Sequence, residues 1–280
     1  MSESTYIRAV TFDAGQTLVE LDTAFLASRV EERGALVSVA RLDDSTPEAW
    51  SEYAAALGAG QGGERAWKRF MRRLLSVAEI APHPHKREGS EATAHGGHAH
   101  EPISELAHEL TEWLWEQQPK QNLWRRPIRG MFELARELRE HRIPVGILSN
   151  SEGQLSALIE ELGQLDAFDT VTDSGVVGCE KPAPEIFHLT AKALGVEAHE
   201  LLHIGDSFEA DIRGALGVGA DAIWFNSAGF EASPPSDVGG FEPVREAPAS
   251  DPRMPTSVPS VRRAATAFEL REHFCELGLL

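Results

Sequence analysis

Asp13, Ser149, Lys181 and Asp206 are the residues of this chain best suited to chemistry. Each lies at the end of a run that reads as a strand or in the loop after it: "AVTF", "VGIL", "TVTDS" and "LLHIG". In an open parallel sheet, ligands bind beyond the carboxyl ends of the strands. A carboxylate there can attack phosphorus, while a hydroxyl and a lysine hold the phosphoryl oxygens. Further carboxylates can hold a magnesium ion that offsets repulsion between an anionic nucleophile and an anionic ester. Asp211, five residues beyond Asp206, is one more candidate. Taken singly, each has an ordinary explanation. Asp13 can be a turn residue in "FDAGQTL", and Ser149 with Asn150 can cap the next helix. Lys181 before Pro182 can be a solvated loop lysine, and the acids of "GDSFEAD" can complement a helix N-terminus. Their joint occurrence at equivalent strand ends, in order, argues for one site.

The elements that must position them follow from hydrophobic spacing. "YIRAVTF" reads as a first buried strand. From about Asp22 to Gln118 the apolar residues recur every three and four positions, which predicts helices without a convincing strand. "APHPHKREGSEATAHGGHAHEP" interrupts them as a loop. Next, "RRPIRGMFELARELREH" predicts a helix with Pro127 near its start. "IPVGILSN", "FDTVTDS", "ELLHIGDS" and "DAIWFN" read as strands. They alternate with the helices "GQLSALIEELG", "APEIFHLTAKALGV" and "EADIRGALGVG". Such alternation implies an α/β fold, a Rossmann-like parallel sheet with helices on both faces. Residues 1–20 and 121–280 would form this discontinuous core, and 21–120 a helical insertion. Residues 227–260, with seven of the sixteen prolines, read as an excursion, and "AATAFELREHFCELGLL" as a closing helix.

Composition narrows the partners. A chain of 280 residues with net charge −18 is a poor match for nucleic acid or an anionic membrane surface. No run approaches the ~20 apolar residues of a membrane span. Cys179 and Cys275 have no paired spacing, which suggests a reducing compartment. "MSESTYIRAV" does not read as a signal peptide, so a cytoplasmic location is expected. The sequence is silent on oligomeric state.

The order "FDAGQTL", "GILSN", "GCEKPAPEIF", "HIGDSFEADIRGA" resembles the four motifs of the haloacid dehalogenase-like hydrolase superfamily. The helical insertion matches the family's cap domain, placed between the first and second motifs. By that resemblance Asp13 is the nucleophile that becomes an aspartyl-phosphate. Ser149, Asn150 and Lys181 bind the phosphoryl group of a small phosphorylated molecule. Magnesium is held by Asp13, Asp206, the backbone carbonyl of Gly15 and, through water, Asp211. Thr17 orients the loop.

Gly15 departs from the pattern. Phosphatases of this family carry there an Asp that protonates the leaving group, and Gln16 has no useful acid to replace it. Glu20, Asp22 or a cap residue would have to substitute. Rival readings are a metal-free 2-haloacid dehalogenase, a phosphate-binding or regulatory homologue without turnover, and a phosphonatase-like hydrolase with Lys68 as Schiff-base lysine. His83, His85, His95, His98 and His100 have spacing that could bind zinc or nickel, yet their Gly- and Ala-rich setting reads as a solvated loop.

Overall fold

Ala9–Phe12 (β1) is buried at every residue, as befits a strand covered on both faces at the centre of a parallel sheet. The computed structural model describes residues 7–59, 61, 63–83, 101–226 and 261–280. The chain divides into two compact units, Met1–Leu21 with Trp124–Leu280, and Asp22–Leu123.

After β1 come β2 (Val19–Leu21), α1 (Thr23–Glu32), β3 (Ala35–Leu36), α2 (Val39–Gly58), α3 (Glu64–Val77), β4 (Ala81–Pro82) and α4 (Glu101–Gln117). The second unit holds α1 to α4 and the short antiparallel β3–β4 pair, the one departure from an all-helical reading there. Asp22 starts α1 by accepting the Phe25 N–H at 2.8 Å. In α3 the apolar stripe Ala66, Trp67, Phe70, Met71, Leu74 and Leu75 is buried, the three-and-four spacing read from sequence.

The chain then returns through β5 (Trp124–Pro127), α5 (Met131–Glu140), β6 (Val145–Ser149), α6 (Leu155–Glu161), β7 (Thr170–Asp173), α7 (Ser174–Val177) and α8 (Pro184–Leu194). It finishes with β8 (Leu201–Gly205), α9 (Gly214–Gly217), β9 (Asp221–Phe225), β10 (Val261–Ala264) and α10 (Ala267–Glu276). Six strands form one sheet in the order β10-β9-β8-β1-β6-β7, every neighbouring pair parallel. One core cluster joins α5, α6 and α10 to one face, and a second joins α8 and the segment after β8 to the other. Helix α8 starts with Pro184 and stops at left-handed Gly195.

Three sequence expectations are corrected here. Pro127 closes β5, which pairs antiparallel with β2, and α5 begins only after left-handed Gly130. The strand β10 was hidden because "VRRA" carries two arginines at the sheet edge. "EADIRGALGVG" is no simple helix: Phe208–Arg213 is a wide π turn that continues into α9. Residues 227–260 and His85, His95, His98 and His100 lie outside the described residues. No helix among the described residues is long and apolar enough to cross a membrane.

Candidate active site

β1 and β8 run side by side, with Phe12 opposite Ile204. β6 flanks β1 on its other side. Their carboxyl ends therefore bring Asp13, Ser149 and Asp206 to one edge of the sheet. Lys181 arrives from the loop after α7 and is buried there. Its ammonium donates to Asp13 Oδ1 at 2.7 Å, Asp211 Oδ1 at 2.6 Å and the Leu148 carbonyl at 2.7 Å. An ammonium has three N–H bonds, so all three are used inside the protein. Ser149 stands beside the Asp13 carboxyl, where its hydroxyl pulls the Asp13 pKa downward.

Asn150 is a clamp on the backbone. Its Nδ2 donates to the Lys181 carbonyl at 2.9 Å, and its Oδ1 accepts the Lys181 N–H at 2.8 Å. The side chain is thus committed to holding the lysine loop, and a phosphoryl contact from Asn150 falls to its main-chain N–H. Asp173, at the end of β7, staples the same region by accepting the N–H groups of Gly153, Leu155 and Gly175.

Asp211 is equally committed. Its Oδ1 receives Lys181 Nζ and His203 Nε2, the latter at 3.0 Å, and its Oδ2 receives the Ser207 N–H at 2.9 Å. Burial alone would raise its pKa, but Lys181 and His203 more than offset that and hold it well below the usual carboxylate range. Burial would likewise lower the Lys181 pKa, yet Asp13 and Asp211 together raise it. For Asp13, burial wins over Lys181, and Asp211 adds to it, so this carboxyl sits above its ordinary value. The His203 pKa is pushed down by burial.

Asp13, Asp206 and Asp211 each place one carboxylate oxygen within 4.8 Å of the others. Three carboxylates against one ammonium leave excess negative charge in a largely buried site. Oxygen donors in that number and spacing suit a hard divalent cation such as magnesium.

Other residues named in the sequence analysis take the following places. The Thr17 hydroxyl is buried without a hydrogen-bond partner, and the loop is tied instead by backbone bonds from Leu18 and Val19 to Ala14. Gln16 takes the left-handed conformation at φ 57°, strained for a side chain of this kind. Glu20 pairs with Arg126, and Asp22 caps α1. In the helical unit Lys68 pairs with Glu64 at 2.6 Å and with Glu112. Those bonds raise its pKa, opposite to what a nucleophilic amine needs.

Two participants were missed in the sequence. His203 touches Asp211, and Trp224 donates Nε1–H to the Asp206 carbonyl at 2.8 Å, with Phe208 packed on its ring. The signal for His203 was a lone polar residue in the apolar run "LLHIG". Trp224 gave none, since an aromatic in a strand reads as core.

Comparison with known proteins places the chain in a family. The family model described as haloacid dehalogenase-like hydrolase matches residues 7–219. A phosphoserine phosphatase of Thermus thermophilus is 31% identical over 65% of this chain and 72% of its own length. A ribulose-1,5-bisphosphate 5-phosphatase of Halopiger xanaduensis is 37% identical over 34% of this chain. The chain spans only 40% of the Halopiger protein, and about two fifths of several other curated relatives. Among solved structures, a HAD-hydrolase of Bacillus subtilis bound to magnesium shares the fold, with TM-score 0.55 and 19% identity over 95% of this chain and 98% of that one. The chain belongs to the haloacid dehalogenase-like hydrolase family.

Proposed function

We propose that the chain is a magnesium-dependent phosphatase of small phosphorylated molecules, with Asp13 as nucleophile and the helical unit as its cap. The observation that carries this reading is the Asp13 carboxylate, held by Lys181 at 2.7 Å and within 4.8 Å of two more carboxylates. The Thermus and Halopiger relatives, both named as phosphatases of small metabolites, support it.

Asp13, Asp206 and the Gly15 carbonyl would hold magnesium directly. Asp211, with its oxygens already taken by three N–H donors, would act through water. When bound, magnesium supplies positive charge against the phosphoryl oxygens. An Asp13 oxygen forms the bond to phosphorus as the ester P–O bond breaks, and the leaving oxygen keeps the bonding pair. Lys181 fixes Asp13 through Oδ1 and offsets its charge, while Ser149 and the Asn150 N–H bind the phosphoryl oxygens. Water then attacks the phosphorus and releases phosphate and Asp13. Gly15 offers no acid to the leaving oxygen. The reading therefore includes a preference for leaving groups that are stable anions, such as aryl or acyl phosphates.

The test is hydrolysis of a panel of phosphate compounds by the purified protein, with magnesium and with excess chelator. Turnover that needs magnesium and vanishes in a well-folded Asp13→Asn variant supports the proposal. Full activity on a 2-haloacid in chelator would make it a dehalogenase instead. Phosphate binding without any turnover would make it a regulatory homologue.

A further inference from the structure

Behind the site, Thr11 and His203 face one another across the β1–β8 ladder. Thr11 Oγ1 lies 2.9 Å from His203 Nδ1, and His203 Nε2 lies 3.0 Å from Asp211 Oδ1. Both residues are fully buried, and the Phe187 ring stands edge-on to the imidazole at 5.4 Å. A carboxylate only accepts hydrogen bonds, so Nε2 must carry the proton toward Asp211. Nδ1 of the neutral ring is then an acceptor, and the Thr11 hydroxyl donates to it. The result is a directed chain from Thr11 through His203 to Asp211 Oδ1, the atom that also receives the Lys181 ammonium.

Geometry leaves Asp211 little alternative support on that side. Gly205, two residues after His203, has no side chain, and a Cβ there would fall 2.2 Å from the Asp211 carboxyl carbon. The carboxyl therefore packs directly over the backbone at Gly205, with the imidazole as its lateral stop. Released from His203, the carboxylate would keep the Ser207 N–H on Oδ2 but lose the lateral hold on Oδ1, the oxygen that serves as one of the three acceptors aiming Lys181 at Asp13.

We propose that His203 is a positioning residue, its tautomer set by Thr11, that holds Asp211 in register with Lys181 and so keeps Asp13 oriented. His203 touches no solvent and acts only through Asp211. The inference rests on the phosphatase reading for its catalytic consequence but not for its geometry.

The experiment uses the full chain and three variants: His203→Leu removes the donor, His203→Gln retains an N–H near the Nε2 position, and Thr11→Val removes the hydroxyl. Nitrogen NMR of the imidazole in the unmutated protein should find Nε2 protonated and Nδ1 bare, with that assignment blurred in Thr11→Val. Magnesium and orthovanadate binding, measured by calorimetry without substrate, should weaken in His203→Leu on the order of tenfold to a hundredfold, the worth of a hydrogen bond to a charged group. His203→Gln should recover most of it. A ring protonated at Nδ1, or unchanged binding in His203→Leu, overturns the proposal. If His203→Leu does not fold, the tautomer in the unmutated protein and the His203→Gln result decide. Binding that responds as stated in a protein without phosphatase activity would defeat the functional reading and leave this inference standing.

Discussion

A Cβ built on Gly205 would stand 2.2 Å from the carboxyl carbon of Asp211, so the glycine that ends β8 leaves the space in which the Lys181 anchor lies. Gly205→Ala must push Asp211 from its bonds with Lys181, His203 and Ser207. Overpacking of this kind costs about 1–3 kcal/mol of stability, and activity should fall on the order of a hundredfold or more. Gly217→Ala, where the added Cβ meets nothing within 4 Å, is the control and should match the unmutated protein. Chemical denaturation and turnover of the two variants check both statements.

Lys181→Met leaves Asp13 and Asp211 buried without their cation, and losing one member of a buried pair costs about 3–5 kcal/mol. The Asp211 contribution to the pH dependence should reverse in sign, while that of Asp13, already raised by burial, keeps its sign and grows. In the unmutated protein the depressed Asp211 pKa contributes stability above the ordinary Asp range, and this is lost as pH falls toward the depressed value. Without the ammonium both carboxyls rise above their unfolded values, so the variant should regain stability on acidification. Urea melts from pH 7 down to pH 3, through the ordinary Asp range, would show it; a variant that loses stability in parallel with the parent below pH 5 refutes the assignment.

Magnesium should bind more weakly as pH is lowered. The Asp13 carboxyl is raised by burial, so protons compete for it above the usual Asp range, and each binding event then releases part of a proton. Calorimetry in buffers of different ionisation enthalpy measures that release. Affinity that does not fall as pH is lowered to the ordinary Asp range would remove Asp13 from the metal site.

Gly15→Asp tests the missing acid directly. Gly15 lies outside the left-handed region, and the nearest neighbour of an added Cβ is Trp124 Cδ1 at 3.9 Å, so a Cβ is accommodated without a clash. General acid catalysis is worth ~10²–10⁴-fold, and the gain should fall on alkyl phosphates, whose alkoxides leave badly unprotonated. Across a series of phosphates, rates of the unmutated protein should depend steeply on leaving-group pKa, and the variant should flatten that dependence. A flat series before mutation would show that the acid comes from another residue.

The strand ends and the polar residues that stand at them were legible from the residues alone, because period and burial coincide. "AVTF" and "VGIL" are continuous apolar runs, as central parallel strands require, and a polar residue directly after such a run has to emerge at the edge of the sheet. The same logic set α3 and α8 by their apolar stripes and by the Pro and Gly at the ends of α8. Short or edge elements were not legible: "VRRA" pairs through its backbone on the sheet border, where side chains are free to be charged, and β5 is fixed by its antiparallel partner β2. Nor could a linear reading tell what each polar side chain would do once packed. Asn150 turns inward to clamp Lys181, Asp211 is saturated by three donors, and His203 and Trp224 join the site from strands that read as core. Those roles depend on which atoms parallel pairing brings within about 3 Å across gaps as long as 192 residues, as between Thr11 and His203. Spacing along the chain carries no record of that; only the register of β1 against β8 decides it.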